Sequence, residues 1–273
     1  MTPRGAPEIE RRTPELERAG IEVPGLSRRL VDAPWWFFTL IGILIYLGYL
    51  VFFDPRYAGA KDAVVQGIPV TIRSTILAFT LALVVGLFTG LGRISRNVVV
   101  RNLATLYVEF VRGVPILVLI FVVALWIVPE VSDALGFANR ISQEWRAIIA
   151  LTIIYGAYIA EVFRAGVESV PVGQMEAARS LGMRQRTAMR VIVLPQAVRN
   201  VLPALGNDFI AMLKDSSLLS VLGVREITQM GRLYANSSFQ FRETFLAMTF
   251  LYLLFTLILS LVVQWYGRRL QRV

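Results

Sequence analysis

Along the chain, apolar runs long enough to cross a bilayer alternate with short arginine-bearing breaks. A hydrocarbon core takes about 20 helical residues, and apolar runs of that order occur at 35–53, 74–92, 102–128, 146–163, 197–213 and 244–266. The pattern predicts six transmembrane helices and an all-α integral membrane protein. The fifth run is the shortest. It is followed by "KDSSLLSVLGV", whose ionic start and apolar remainder predict a broken or re-entrant element buried in protein, because exposed irregular backbone is not tolerated in lipid. Ahead of the first run, residues 1–33 carry Pro, Gly, Arg and Glu where a signal peptide would need an apolar core. That segment is predicted to be a mobile cytoplasmic tail with a short helix over 14–19.

Composition supports the membrane assignment: 56% of the residues are hydrophobic and 17% charged. The net charge is +9 and almost all of the positive charge is arginine, Lys61 and Lys214 being the only lysines. On so greasy a chain this basicity implies a rim at anionic headgroups, with no nucleic-acid partner. The chain has neither Cys nor His. It therefore lacks disulfides, thiolate chemistry, the commonest metal ligand and the commonest general base, and no metal or cofactor is expected in it. Placing the N-terminus inside puts 18 of the 28 basic residues on the cytoplasmic side, among them Arg93, Arg96, Arg101, Arg164, Arg179, Arg184, Arg186, Arg190 and Arg199. This is the arrangement the positive-inside rule favours, and with six spans both termini are cytoplasmic.

The polar loop between spans four and five reads "EAARSLGMRQRTAMRVIVLP", residues 176–195. Pro171 suits the start of a helix, Gln174 to Leu181 are good helix formers, and Ala177 and Ala178 give a face that another backbone can approach closely. Gly182 is predicted to end this piece as a left-handed cap. A second helix is expected over 184–193, with Pro195 marking its junction with span five. A helix, a bend and a helix near the membrane surface suit a groove on a soluble partner. An interfacial helix that snorkels arginines to lipid would not need the paired alanines or the glycine break.

Ionisable groups at membrane depth are functional candidates by default. Glu109 and Arg112, three apart, are expected to pair with each other, and Pro115 to kink their helix. Gly86 and Gly90 form a small-xxx-small packing step. Tyr155, Tyr158 and Glu161 share one face of helix four, where two phenols and a carboxylate suit an ammonium group; pairing of Glu161 with Arg164 is an equal alternative. On helix five, Asn207, Ala211 and Lys214 share a stripe, with Asp208 and Met212 beside it. Asn207, Lys214, Asp215, Ser216 and Ser217 offer donors that could meet a carboxylate, although neutralisation of Lys214 and Asp215 by one another is the favoured alternative.

Glu176, Ala177, Ala178, Gly182, Ile192, Leu194 and Pro195 stand at spacings that resemble the signature loop of ABC importer permeases. The words "YVEFVRGVP" (107–115), "AEVFRAGVESVPVGQ" (160–174) and "LPQAVRNVLPALGNDFIAMLKDSSLLSVLGV" (194–224) are similar to polar amino-acid permeases of the histidine/glutamate/glutamine/arginine uptake group. The resemblance covers 63–270, with Val114 and Arg225 departing from residues common there, Thr and Pro. It implies a type I ABC importer permease fold: a five-helix core with one extra N-terminal helix over 34–54, and a coupling loop over 166–195. It also implies that Gln174, Glu176, Ala177, Ala178, Arg179, Leu181 and Gly182 dock on an ATPase subunit. The implied partners are two ABC ATPase subunits that bind ATP and magnesium, a second permease copy, identical or homologous, a solute-binding protein and a polar amino-acid substrate. The implied site of action is the bacterial inner membrane. The chain itself contains no G-x-x-x-x-G-K-[ST] phosphate-binding loop, so it is read as a non-enzymatic subunit. The competing expectation is a self-contained channel or proton-coupled carrier using Glu109, Glu161 and Asp208.

Overall fold

A computed structural model of the chain describes residues 35–136 and 141–270; the expected tail over 1–33 and its helix at 14–19 lie outside them. The helices are α1 (Trp35–Phe53), α2 (Ala58–Val65), α3 (Ile68–Arg93), α4 (Val98–Gly113), α5 (Ile116–Ala134), α6 (Gln143–Glu168), α7 (Val172–Ser180), α8 (Gln185–Ala188), α9 (Leu194–Asp215), α10 (Ile227–Ser238) and α11 (Phe241–Leu270). Residues up to Tyr46 form one unit and those from Leu47 another. In the first, Trp35–Tyr46 is helical, with edge-on ring contacts between Trp35 and Phe38 and between Trp36 and Phe37.

By length and composition, five helical runs among the described residues can cross a membrane: Trp35–Phe53, Pro55–Arg93, Ile116–Ala134, Gln143–Glu168 and Phe241–Arg269. Two of the six expected spans need correction. The run at 102–128 is not one kinked helix, because the chain breaks completely between α4 and α5. Pro115 disfavours the α region for the residue before it, and Val114 is extended at φ −108°, ψ 139°. The fifth run is not the shortest span: α9 has 22 residues, but Arg199, Asn200, Asn207, Asp208, Lys214 and Asp215 make it too polar to count as one by composition. The following Ser216–Leu222 is a 3-10 helix, closed by left-handed Gly223 and burying Ser216, Leu219, Ser220 and Leu222. The segment after span five is thus irregular and packed in protein, as the sequence implied.

Two π-helical stretches explain how Pro129 and Pro195 enter long helices here, while Pro203 sits inside α9 without one. Val122–Ile127 ends one residue before the Val128-Pro129 step, and Met189–Val193 just before Leu194-Pro195. A proline ring clashes with the carbonyl four residues back, and a π turn moves that carbonyl aside. Pro195, in the first turn of α9, marks the junction as expected, but the junction is continuous. The second helix of the polar loop runs through the π stretch directly into α9, and only Gln185–Ala188 is ordinary α-helix before it.

α6 is the central element. Ile148, Leu151, Ile154 and Ile159 are fully buried on it. α3 approaches it closely at the predicted glycine step: a Cβ on Gly86 would stand 2.5 Å from Ile159 Cγ2, and one on Gly90 2.9 Å from the Ala160 carbonyl oxygen. The start of α10 is pinned to the start of α3. A Cβ on Gly67 would clash with the Ile227 backbone nitrogen, whose N–H donates to Thr71 Oγ1 at 3.1 Å. Glu226, fully buried, caps α10 by accepting from the Thr228 and Gln229 amides at 2.8 and 2.7 Å and from the Tyr252 hydroxyl at 2.9 Å. Burial pushes its carboxyl pKa up, and these donors oppose that.

Candidate functional site

The polar loop forms the helix, bend and helix that its sequence predicts. Pro171 precedes α7 in an extended conformation, and α7 ends at Ser180. Gly182 takes φ +80°, its N–H donating to the Arg179 carbonyl at 2.9 Å, while the Met183 N–H donates to the Ala178 carbonyl at 3.1 Å. These paired bonds close a left-handed C-terminal cap. A Cβ on Gly182 would meet nothing within 4 Å, so glycine is required by backbone conformation alone.

The two alanines differ. Ala178 is buried, at 1% exposure, so it faces the chain's own interior and not a partner. Ala177, Gln174, Glu176 and Arg179 are exposed, and Leu181 at the tip is 83% exposed. Beneath the loop, Val170, Val193 and Ala197 form a small core with Val167, Met175 and Met189. Leu181 is thus an exposed apolar side chain carried on a packed support.

Glu109 and Arg112 do not pair with each other, contrary to expectation. Glu109 accepts from Arg93 Nη2 at 3.3 Å, and Arg112 Nη1 stands 3.8 Å from Glu161 Oε2. Glu161 is also ion-paired to both Arg93 and Arg164, and Arg164 to Glu168. Three arginines and three glutamates from α3, α4 and α6 thus form one neutral cluster. Glu161, in contact with all three arginines, is its centre; sequence reasoning missed Arg93 because Arg93 and Glu161 are 68 residues apart and nothing local links them.

The remaining candidates lie along the seam of α6 and α9. The Tyr155 hydroxyl donates to Asp215 Oδ2 at 2.8 Å, and its ring lies 5.7 Å from that of Tyr158. Asp215 therefore takes Tyr155 as its partner and is not neutralised by Lys214, which is exposed and has no ion pair among the described residues. Asn207 is exposed seven residues earlier, on the same stripe. Asp208 Oδ2 is shielded from solvent with no hydrogen-bond partner among the described residues. Met212 is fully buried in the main core, and the buried Ser216 hydroxyl donates to the Leu213 carbonyl at 2.7 Å. These two support the seam from behind and do not line it, because helix periodicity turns them away from the Asn207–Lys214 stripe. Among the described residues no group of acidic side chains is placed to hold a metal ion.

Known proteins share this architecture. The family model for the binding-protein-dependent transport system inner membrane component matches residues 82–272. The probable amino-acid permease protein YxeN of Bacillus subtilis is 37% identical over 213 residues, 78% of this chain and 93% of that protein. The glutamine transport system permease protein GlnP of Escherichia coli is 32% identical over 212 residues, 78% of this chain and 94% of its own. A crystal structure of an amino acid ABC transporter with histidines superposes at a TM-score of 0.70 with 35% identity, covering 76% of this chain and 94% of that one.

Proposed function

Because the chain belongs to the family of binding-protein-dependent transport system inner membrane components, we infer that it imports polar amino acids as the membrane-spanning subunit of an ATP-driven complex. The observation that carries this reading is the supported loop with Leu181 and Ala177 at its exposed edge and Gly182 in a left-handed cap. Two ATPase subunits, holding ATP and magnesium, dock there. A second permease copy, identical or homologous, completes the pathway, and a solute-binding protein delivers substrate on the other face. ATPase closure shifts α7, and the continuous rod from α8 into α9 carries that shift to the membrane interior, so the pathway alternates between two packed states.

Along the pathway, Asp208 and Asp215 beside Tyr155 and Tyr158 suit the ammonium group of an amino acid, and Asn207 and Lys214 suit its carboxylate. The unpartnered Asp208 oxygen supports this, since a shielded acceptor without a partner calls for one. In this arrangement Asp215→Asn lowers apparent substrate affinity about tenfold by removing one charge-assisted hydrogen bond.

The arginine distribution supports an orientation in the bacterial cytoplasmic membrane with both termini inside. In this Cys-free chain, single Asp62→Cys and Thr187→Cys variants read it directly: an impermeant maleimide is expected to label only the first in intact cells. Labelling of Thr187→Cys from outside would reverse the assignment. The function itself is tested by uptake of labelled amino acids into proteoliposomes holding the permease with its ATPase. Accumulation is expected only with ATP inside the system and binding protein present. Accumulation driven by a proton gradient without ATP identifies a self-contained carrier instead.

A further inference from the structure

Leu194, the first residue of α9, lines two cavities at once. One is a cleft of about 480 Å³ walled by Arg96, Gln185, Arg186, Met189 and Arg190. The other, about 150 Å³, is a wholly apolar groove between α3, α6 and α9, lined by Leu87, Leu91, Phe163, Val167, Val198 and their neighbours. The cleft lies where α3 ends and α9 begins, at the polar end of both helices.

Its arginines differ in kind from those nearby. Arg93, Arg112 and Arg164 are matched by Glu109, Glu161 and Glu168. Arg96, Arg186 and Arg190 have no carboxylate within ion-pair distance among the described residues; Arg96 donates only to Gln185 Oε1, at 3.0 Å. Three uncompensated guanidiniums around one cleft attract an anion, and their planar forks suit phosphate oxygens. The groove beside them offers apolar surface continuous with the cleft, which favours an anion that carries an acyl chain. Leu87, Leu91, Leu194 and Val198 are 41–51% exposed along it, an open apolar track leading away from a cationic head site.

We propose that these joined cavities bind an anionic phospholipid, its phosphate held by Arg96, Arg186 and Arg190 and one acyl chain lying in the groove. Basic pockets between helices at a membrane face are suited to such headgroups. The lipid bridges the α3–α4 turn, through Arg96, to the segment following Gly182, through Arg186 and Arg190, and so braces the loop. The inference is independent of which substrate is carried.

The test is native mass spectrometry of the purified full chain in mild detergent with dioleoyl phosphatidylglycerol or dioleoyl phosphatidylcholine, which carry the same tails. Phosphatidylglycerol is expected to be retained about tenfold more strongly. Arg96→Gln with Arg190→Gln brings it down to the level of phosphatidylcholine, whereas the double Lys variant, which keeps the charge, retains most of the preference. Leu194→Trp, which fills the groove, weakens retention with every arginine in place, and millimolar glycerol 3-phosphate fails to displace the lipid. Equal retention of the two lipids, or indifference to the Gln and Trp variants, overturns the proposal. Displacement by glycerol 3-phosphate indicates a soluble-anion site, and loss of the lipid on assembly with the second permease copy or the ATPase indicates a protein occupant; each equally overturns it. If the double Gln variant fails to fold, Leu194→Trp and the phosphatidylcholine comparison decide.

Discussion

Gly182→Val is expected to reduce substrate-stimulated ATP hydrolysis by the assembled complex about tenfold or more, while the chain still inserts and folds. A β-branched residue at φ +80° costs roughly 1–3 kcal/mol in backbone strain, and tenfold corresponds to about 1.4 kcal/mol. No steric clash adds to this, since the added Cβ meets nothing within 4 Å. The strain is therefore relieved by reshaping the cap, and reshaping moves Leu181 relative to its partner. Gly182→Asn is the control: Asn tolerates the left-handed region and should keep most of the stimulated rate. Stimulated hydrolysis measured on both complexes gives the answer, and a normal rate in the Val variant would remove the loop from the coupling role.

What the sequence made legible follows from how local each cause is. Gly182 was readable because a glycine four residues beyond a helical Glu-Ala-Ala can do little but end it. The α3–α6 contact was readable because Gly86 and Gly90 stand one helical turn apart. The 3-10 segment after Asp215 was readable from its mixed polarity. The α4–α5 break was only half readable: Pro115 signalled a disturbance, but whether a proline kinks a helix or ends it depends on the packing around it. Elsewhere, two π turns absorb Pro129 and Pro195 without any break. The fate of Glu109, Arg112 and Asp215 was not readable, because each had a plausible partner nearby in sequence and took one from another helix instead. Ala178 was misassigned for a related reason: helical periodicity shows that it and Ala177 face apart, but not which of the two faces inward.

Glu161 is where the two expectations for one residue separate in measurement. Arg93 is only 11% exposed and Glu161 24%, so Glu161→Gln strands a largely buried guanidinium. Breaking a fully buried pair costs about 3–5 kcal/mol, and partial exposure brings the expected loss to about 2 kcal/mol. That corresponds to a fall in Tm of roughly 5 °C, read by thermal unfolding of the purified protein. Substrate affinity of the complex, measured without binding protein, is expected to stay unchanged. A tenfold loss of affinity at unchanged Tm would instead make Glu161 a pathway residue. A second variant shows which arginine depends on it. Arg164 keeps Glu168 when Glu161 is neutralised, whereas Arg93 keeps only Glu109, whose side chain is 62% exposed and so binds weakly. Adding Arg93→Gln to Glu161→Gln should therefore restore more stability than adding Arg164→Gln, even though Arg164 is the partner that the i,i+3 spacing suggests. The opposite order would place the weight of the cluster within α6 alone.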